Sequence, residues 1–187
     1  WAKEKEMLAD IGYTYTKYRP WTTTTLSHNT LLVDGKRQSL GLDREGTLVV
    51  YDALSEGFQV IQARAEEAYM GSVSVYKRAL GLVGVSEEDN YVVDIFEVEG
   101  GKMHDWVFHG GADEPERVID LSLDLSPKTG TLADSGQLFD AQYGADDSPN
   151  RISNYYGVID QLQVGRTDED WTISIQGYRK EAPVLKA

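Results

Sequence analysis

Residues 72–99, SVSVYKRALGLVGVSEEDNYVVDIFEVE, decide the fold class of this chain. The two halves, Ser72–Val85 and Asn90–Glu99, are rich in β-branched and aromatic residues and are separated by a short polar cluster, which predicts two strands. No helical periodicity elsewhere lasts more than about three turns. We therefore predict a single all-β domain over residues 1–187, an antiparallel β-sandwich of supersandwich or jelly-roll type. The other predicted elements are one helix at Ala2–Ala9 and strands at Thr22–Val33, Thr47–Leu54, Gln59–Glu66, His104–His109, Val118–Ser126, Gly157–Val164 and Trp171–Tyr178.

Three hairpin turns are predicted between these strands. Asp34-Gly35 and Glu99-Gly100-Gly101 supply residues that adopt positive φ, as tight hairpins require. The third turn is the polar stretch Gly165–Asp170. Residues 130–156 form the least strand-like segment, and we expect surface loops there.

The last predicted strand has a two-residue alternation. Trp171, Ile173 and Ile175 alternate with Thr172, Ser174 and Gln176. Since side chains alternate across a strand, we expect the apolar set to face the core and the polar set to face solvent.

Composition and charge exclude several kinds of partner. The 31 acidic residues exceed the 18 basic ones, and the formal net charge is −13. This charge repels phosphate backbones and anionic membrane surfaces, so neither nucleic acid nor a membrane is an expected partner. An acidic polysaccharide is also repelled at long range and needs a local cluster of cationic groups or a metal ion to bind. The absence of cysteine excludes disulfides and thiolate metal sites.

The chain has three histidines, His28, His104 and His109. His28 precedes the apolar run Leu31–Val33, a position that taken alone suits a hydrogen-bonded structural residue. His104 and His109 are predicted on opposite faces of one strand, because their separation is odd. We expect His104 to pack among aromatic residues and His109, at the strand end, to be more exposed. His109 therefore ranks after His28 as a candidate site residue.

The segment around His28 resembles a known family. Residues 21–35, WTTTTLSHNTLLVDG, with Gln38 just beyond, are similar to the His-Asn-Thr segment of the heparinase II/III-like polysaccharide lyases. The resemblance covers residues 8–110 in order and spacing. It continues in AYMG at 68–71, YKR at 76–78, NYVVD at 90–94 and HDWVFH at 104–109.

The resemblance implies a larger enzyme. Proteins of this family join an N-terminal α/α toroid to an antiparallel β-sandwich and cleave uronic-acid polysaccharides, such as alginate or heparan sulfate, by β-elimination. Residues 1–187 would then be the C-terminal sandwich portion of a bacterial periplasmic or secreted lyase. Its partners would be an acidic polysaccharide and its own α/α domain. The family draws most catalytic groups from the toroid, so no catalytic residue is assigned and this portion alone is expected to be inactive.

The resemblance also implies a metal site. Asp10-Ile11-Gly12 resembles the family's Asp-x-Gly turn, which provides one ligand, and His28 matches another, while the family's His-x-His element is absent from this chain. Zinc accepts imidazole nitrogen and carboxylate oxygen in tetrahedral sites, so His28 and Asp10 are predicted ligands of zinc or another divalent metal. Two protein ligands are too few for tight binding. Asn29, Gln38 and His109 are predicted to contact substrate or support the ligands.

A structural role is predicted for Asp94. It shares a strand face with Val92, Phe96 and Val98, and a carboxylate among apolar neighbours must be paired or hydrogen-bonded. Arg78, on the neighbouring predicted strand, is the expected partner. The pair would join two strands.

Other functions stay open from the residues alone. There is no phosphate-binding glycine loop, no Gly-x-Ser-x-Gly elbow and no His-Glu-x-x-His motif. A non-catalytic carbohydrate-binding sandwich, in which exposed Trp or Tyr rings stack on sugars, is one alternative, and a purely structural sandwich is another. Exposed coplanar aromatic side chains would favour the carbohydrate-binding module.

Overall fold

A computed structural model of the chain describes residues 10, 12, 19–39, 41, 45–87, 89–111, 115–133, 155–177 and 184–186. Over these residues the protein is all-β with antiparallel sheets, as predicted, which is consistent with a sandwich-like fold. No helix of the described residues is long and apolar enough to cross a membrane. The strands are β1 Leu31–Val33, β2 Thr47–Asp52, β3 Phe58–Arg64, β4 Val73–Gly84, β5 Asn90–Gly100, β6 His104–Trp106, β7 Glu116–Leu121, β8 Ser126–Lys128, β9 Leu162–Val164, β10 Ile173–Gly177 and β11 Val184–Lys186.

The strands form four sheets among the described residues. The largest has the order β2-β3-β4-β5, and the others are β1-β6, β11-β10-β7 and β8-β9. A short helix, α1, spans Arg19–Thr22, and 3-10 turns occur at Thr25–Ser27, Glu66–Tyr69 and Tyr156–Val158. The chain divides into two compact units, one of residues 31–105 and one that joins residues 1–30 to residues 106–187. The prediction of a single domain stays a prediction.

The predicted ion pair joins the two long strands of the largest sheet. β4 and β5 pair in antiparallel register from Val73↔Gly100 to Gly84↔Asn90. Arg78 Nε donates to Asp94 Oδ1 at 2.9 Å and Arg78 Nη2 donates to Asp94 Oδ2 at 2.8 Å. The guanidinium carbon of Arg78 also lies 4.7 Å from the centroid of the Phe96 ring. The expected partnership is therefore confirmed, as a bidentate pair of partly buried side chains.

The core of the 31–105 unit surrounds β1. Its buried cluster contains Leu31, Val33, Tyr69, Val73 and Tyr76. The carbonyl oxygen of Leu31 accepts hydrogen bonds from Tyr69 Oη at 3.1 Å and from Tyr76 Oη at 2.6 Å. These two hydroxyls satisfy both lone pairs of a backbone carbonyl in the core.

The predicted tight turn at Asp34-Gly35 forms, but among the described residues it does not join two neighbouring strands as a hairpin, because β1 pairs with β6. Both residues have positive φ, 54° and 64°, as a two-residue hairpin turn requires, and Val33 is bridged to Lys36. Asp34 Oδ1 accepts from the backbone N–H groups of Lys102 and Met103 at 2.7 and 3.1 Å. These two hydrogen bonds lower the pKa of Asp34 below its ordinary 3.8. The turn is thereby tied to the residues that precede β6.

The predicted strand Thr22–Val33 is wrong over most of its length, since only Leu31–Val33 is extended sheet. Side-chain hydroxyls explain the difference. Thr24 Oγ1 donates to the carbonyl of Trp21 and Ser27 Oγ donates to the carbonyl of Thr24, each at 2.8 Å. Such local bonds give the backbone an alternative to a sheet, and here they favour helical turns.

The predicted hairpin at Glu99-Gly100-Gly101 is also wrong. Gly100 and Gly101 adopt positive φ, 110° and 74°, but β6 pairs with β1 and not with β5. A Cβ on Gly101 would collide with Val33 Cγ1, so the glycine allows the backbone to pass against β1. β6 ends at Trp106, three residues earlier than predicted, and His104 is exposed rather than packed among aromatic residues.

The predicted hairpin at Gly165–Asp170 does not form. β9 pairs with β8, whereas β10 pairs with β7 and β11. Trp171 is exposed and Ser174 is buried, the reverse of the predicted alternation. A register shift between Ser174 and Ile175 interrupts the two-residue period, which is the usual effect of a bulge.

Two further predicted strands are too long. The stretch Val118–Ser126 is divided between β7 and β8, and Gly157–Val164 begins in a 3-10 turn. The predicted helix Ala2–Ala9 lies outside the described residues. Residues 134–154 of the predicted loop segment also lie outside the described residues.

Candidate functional site

His28 follows the 3-10 turn Thr25–Ser27 within the unit that contains residues 1–30 and 106–187. Its backbone N–H donates to the carbonyl of Thr25 at 3.2 Å, and its own backbone is extended, with φ −117° and ψ 157°. The turn therefore ends at His28, and the side chain is left partly exposed.

Asp10 contacts this histidine directly. Asp10 Oδ1 accepts from the backbone N–H of Gly12 at 2.8 Å, which forms the expected Asp-x-Gly turn. Gly12 has a φ of 59°, the left-handed conformation that glycine adopts without strain. Asp10 Oδ2 lies 2.7 Å from His28 Nδ1. We call Asp10 and His28 the carboxylate–imidazole pair.

The charge state of the pair follows from its hydrogen bonds. Partial burial raises the pKa of Asp10, but the hydrogen bonds from His28 and Gly12 and the charges of His28 and His109 outweigh it and lower that pKa below 3.8. At neutral pH the carboxylate is therefore ionised and only accepts, so the Nδ1 of His28 carries the hydrogen. In the neutral imidazole the lone pair is then on Nε2, the arrangement by which carboxylates orient metal-binding or proton-accepting histidines.

His109 is held beside the His28 segment. Its backbone N–H donates to Asn29 Oδ1, and its Nε2 donates to the carbonyl of Leu26 at 2.8 Å. The backbone N–H of Val107 donates to the carbonyl of Thr30, also at 2.8 Å. Because a carbonyl only accepts, Nε2 of His109 carries a hydrogen, and in the neutral ring Nδ1 holds the lone pair.

A buried tryptophan packs on His109. The two rings meet edge to face, with centroids 6.2 Å apart and planes at 87°. The indole Nε1 of Trp21 is buried and has no hydrogen-bond partner among the described residues. A buried donor without a partner carries a desolvation cost of about 1–3 kcal/mol.

The structure brings together four of the five predicted site residues, Asp10, His28, Asn29 and His109. Asn29 acts through its side-chain oxygen, which holds the backbone of His109. Gln38 belongs to the 31–105 unit, where its Nε2 donates to Tyr76 Oη at 3.1 Å. The sequence offered no signal for the Leu26 carbonyl, because a backbone acceptor carries no residue-specific mark.

The donor groups of the pair fit zinc in kind but not in number. One imidazole nitrogen and one carboxylate oxygen belong to the set that zinc accepts, whereas a catalytic zinc site has three protein ligands. Within the described part of the chain, no group of three or more His, Cys, Asp or Glu side chains could hold a metal ion. The pair therefore suits part of a metal site.

Comparisons with protein-family models, with curated proteins and with solved structures found no match for this chain. The resemblance to the heparinase II/III-like lyases consequently depends on the motif residues themselves. Of those motifs, Asp10-x-Gly12 and the His28-Asn29-Thr30 segment meet through the Asp10–His28 contact, and the 104–109 motif meets the same segment through His109 and Val107.

Proposed function

We propose that this chain is the β-sandwich part of a heparinase II/III-like polysaccharide lyase. In this proposal the enzyme cleaves uronic-acid polysaccharides by β-elimination in the periplasm or outside the cell, and this part contributes metal ligands and one wall of the cleft. The supporting observation is the 2.7 Å contact between His28 Nδ1 and Asp10 Oδ2. The two residues belong to separate motifs, 18 positions apart, and the resemblance assigns both motifs to the same metal site.

The chemistry of elimination explains what such a pair offers. The reaction needs a base for the proton beside the uronate carboxylate, a group that neutralises that carboxylate, and an acid for the departing glycosidic oxygen. A bound divalent cation would supply positive charge against the net charge of −13, which otherwise repels the substrate. With Asp10 accepting from Nδ1, His28 would bind a cation through Nε2, and Asp10 would orient the ring rather than bind the same ion.

Zinc binding tests the metal part of the proposal. We expect isothermal titration of the purified chain with zinc to show weak binding that His28→Ala abolishes and Asp10→Asn weakens. His104→Ala is the matched control, because His104 is exposed and its Nε2 donates to the carbonyl of Gly100 at 2.8 Å. Equal affinity in the wild type and His28→Ala would remove His28 from the metal site.

Elimination tests the enzyme part. We expect the natural full-length protein that carries this chain to produce unsaturated uronate, detected by its ultraviolet absorbance, from alginate or from a glycosaminoglycan. The His28→Ala form of the same protein should lose most of this activity. No unsaturated product from any uronate polymer would contradict the proposal.

The two alternatives predict different outcomes of these experiments. A non-catalytic carbohydrate-binding module would bind oligosaccharides without releasing unsaturated product. A purely structural sandwich would show no change in binding or turnover when His28 is replaced. Unsaturated product therefore separates the lyase from both alternatives, and oligosaccharide binding separates the two alternatives from each other.

A further inference from the structure

Two exposed tryptophans differ in their surroundings. Trp106, at the end of β6, is 45% exposed, and Trp171 is 43% exposed. The ring of Trp106 lies against that of Phe108, with centroids 5.5 Å apart and planes at 42°. Trp171 has no aromatic neighbour of this kind among the described residues. Trp106 and Phe108 therefore form an aromatic pair on the surface, which we call the ring pair.

The ring pair sits on a backbone that is fixed to the His28 segment. Val107 and His109 flank Phe108, and both donate backbone hydrogen bonds to that segment, to the Thr30 carbonyl and to Asn29 Oδ1. The side chain of His109 adds a third bond, to the carbonyl of Leu26. The ring pair is thus held in place before any ligand arrives, which reduces the entropy lost on binding.

We infer that the ring pair is a stacking platform for a pyranose ring of a saccharide. A sugar presents an apolar face of C–H groups and an edge of hydroxyls, so it needs an exposed aromatic ring with hydrogen-bonding groups nearby. Trp106 provides the ring and Phe108 supports it. Asp10 and His28, in the same compact unit, carry the exposed polar atoms.

Charge favours this way of binding over an electrostatic one. At a net charge of −13 the chain repels an anionic sugar at long range, whereas stacking on an uncharged ring does not depend on the sign of the ligand. That the sugar is a uronate rests on the proposed function. The stacking itself requires only a pyranose ring.

Titration of the purified chain with oligosaccharides tests the platform. The probes are a neutral cello-oligosaccharide in the presence of EDTA, and oligosaccharides of alginate and heparan sulfate with and without EDTA, so that any contribution of a metal ion is measured separately. We expect Trp106→Ala to weaken binding about tenfold and Trp106→Phe to weaken it less, since an aromatic face remains. Trp171→Ala, which removes an equally exposed tryptophan, should leave the affinity unchanged. Thermal unfolding of each variant shows that it is folded.

Several results would overturn the platform. These results are the absence of binding to every oligosaccharide, an equal loss of affinity in Trp106→Ala and Trp171→Ala, and an unchanged affinity in Trp106→Ala. Failure of the platform and failure of the lyase proposal are distinguishable. Sugar binding that depends on Trp106, without unsaturated product from the full-length protein, supports the platform and contradicts the lyase. Unsaturated product formed with an unchanged KM in Trp106→Ala supports the lyase proposal and contradicts the platform.

Discussion

The hydrogen bonds to the Leu31 carbonyl provide a test of what stabilises the core of the 31–105 unit. It accepts from the hydroxyls of Tyr69 and Tyr76, at 3.1 and 2.6 Å, and the two rings also pack with centroids 5.1 Å apart. Replacing either tyrosine by phenylalanine removes a hydroxyl and keeps the ring. The pair of substitutions therefore isolates the hydrogen bonds from the packing.

The expected losses follow from what each variant leaves unpaired. In Tyr69→Phe the carbonyl of Leu31 keeps its shorter bond, so the free energy of unfolding should fall by about 0.5–1 kcal/mol. Tyr76→Phe removes the shorter bond and also the acceptor of Gln38 Nε2, and should cost about 1–1.5 kcal/mol. The double variant strips the carbonyl of both hydroxyls. An unsatisfied acceptor in a core costs about 1–3 kcal/mol, so the double loss should exceed the sum of the single losses by about 1 kcal/mol.

Urea unfolding of the four proteins measures this coupling. The m-values should agree, because the surface exposed on unfolding is unchanged. Tyr91→Phe is the control, since Tyr91 is exposed on β5 and its substitution should change stability by less than about 0.5 kcal/mol. A double-variant loss equal to or below the sum of the single losses would refute the reasoning.

Three further predictions concern the ion pair, a glycine and the carboxylate–imidazole pair. Asp94→Ala should lower the free energy of unfolding by about 1–2 kcal/mol, because Arg78 loses a bidentate partner. Glu97→Ala, in the more exposed pair with Lys77, should cost less than about 0.5 kcal/mol, and unchanged melting of Asp94→Ala would contradict the prediction. Gly101→Ala should lower the melting temperature more than Gly57→Ala does. Both glycines have positive φ, 74° and 78°, but only a Cβ on Gly101 would meet another side chain, so equal changes in melting temperature would rule out the clash with β1. The pKa of Asp10 in the folded state is below 3.8, so the ionised carboxylate stabilises the fold fully above pH 3.8, and this stabilisation is lost as the pH falls through the lowered pKa. Asp10→Asn should therefore flatten the acid side of a curve of stability against pH, and identical curves for the two proteins would disprove the effect.

Local sequence patterns determined much of the largest sheet. The β-branched runs on either side of residues 86–89 became β4 and β5, and the face shared by Asp94 with apolar residues correctly predicted its pairing with Arg78. Asp34-Gly35 likewise formed its turn, because the positive φ values depend on those two residues alone. These predictions succeeded because strand propensity, two-residue alternation and turn chemistry are properties of near neighbours.

For the site, the two motifs identified Asp10 and His28 in advance, although the 2.7 Å contact between them required the folded chain. The sequence predicts His109 only as an exposed strand end, and the structure shows its contacts with Asn29 and the Leu26 carbonyl. Both partners are at least 80 residues away, and the sequence does not encode such backbone contacts locally.

Partner choice between strands was decided only by the tertiary structure. Gly100 and Gly101, at the end of β5, adopted the predicted positive φ, yet β6 paired with β1. The close approach of Gly101 to Val33 is a contact between residues far apart in sequence. The threonine-rich stretch before His28 became helical turns, because its hydroxyls found nearby carbonyls to bond. The sequence by itself thus determined the two long strands β4 and β5 and the tight turn at Asp34-Gly35. Which strands meet, and which side chains reach His28, depended on long-range packing and hydrogen bonds that exist only in the folded chain.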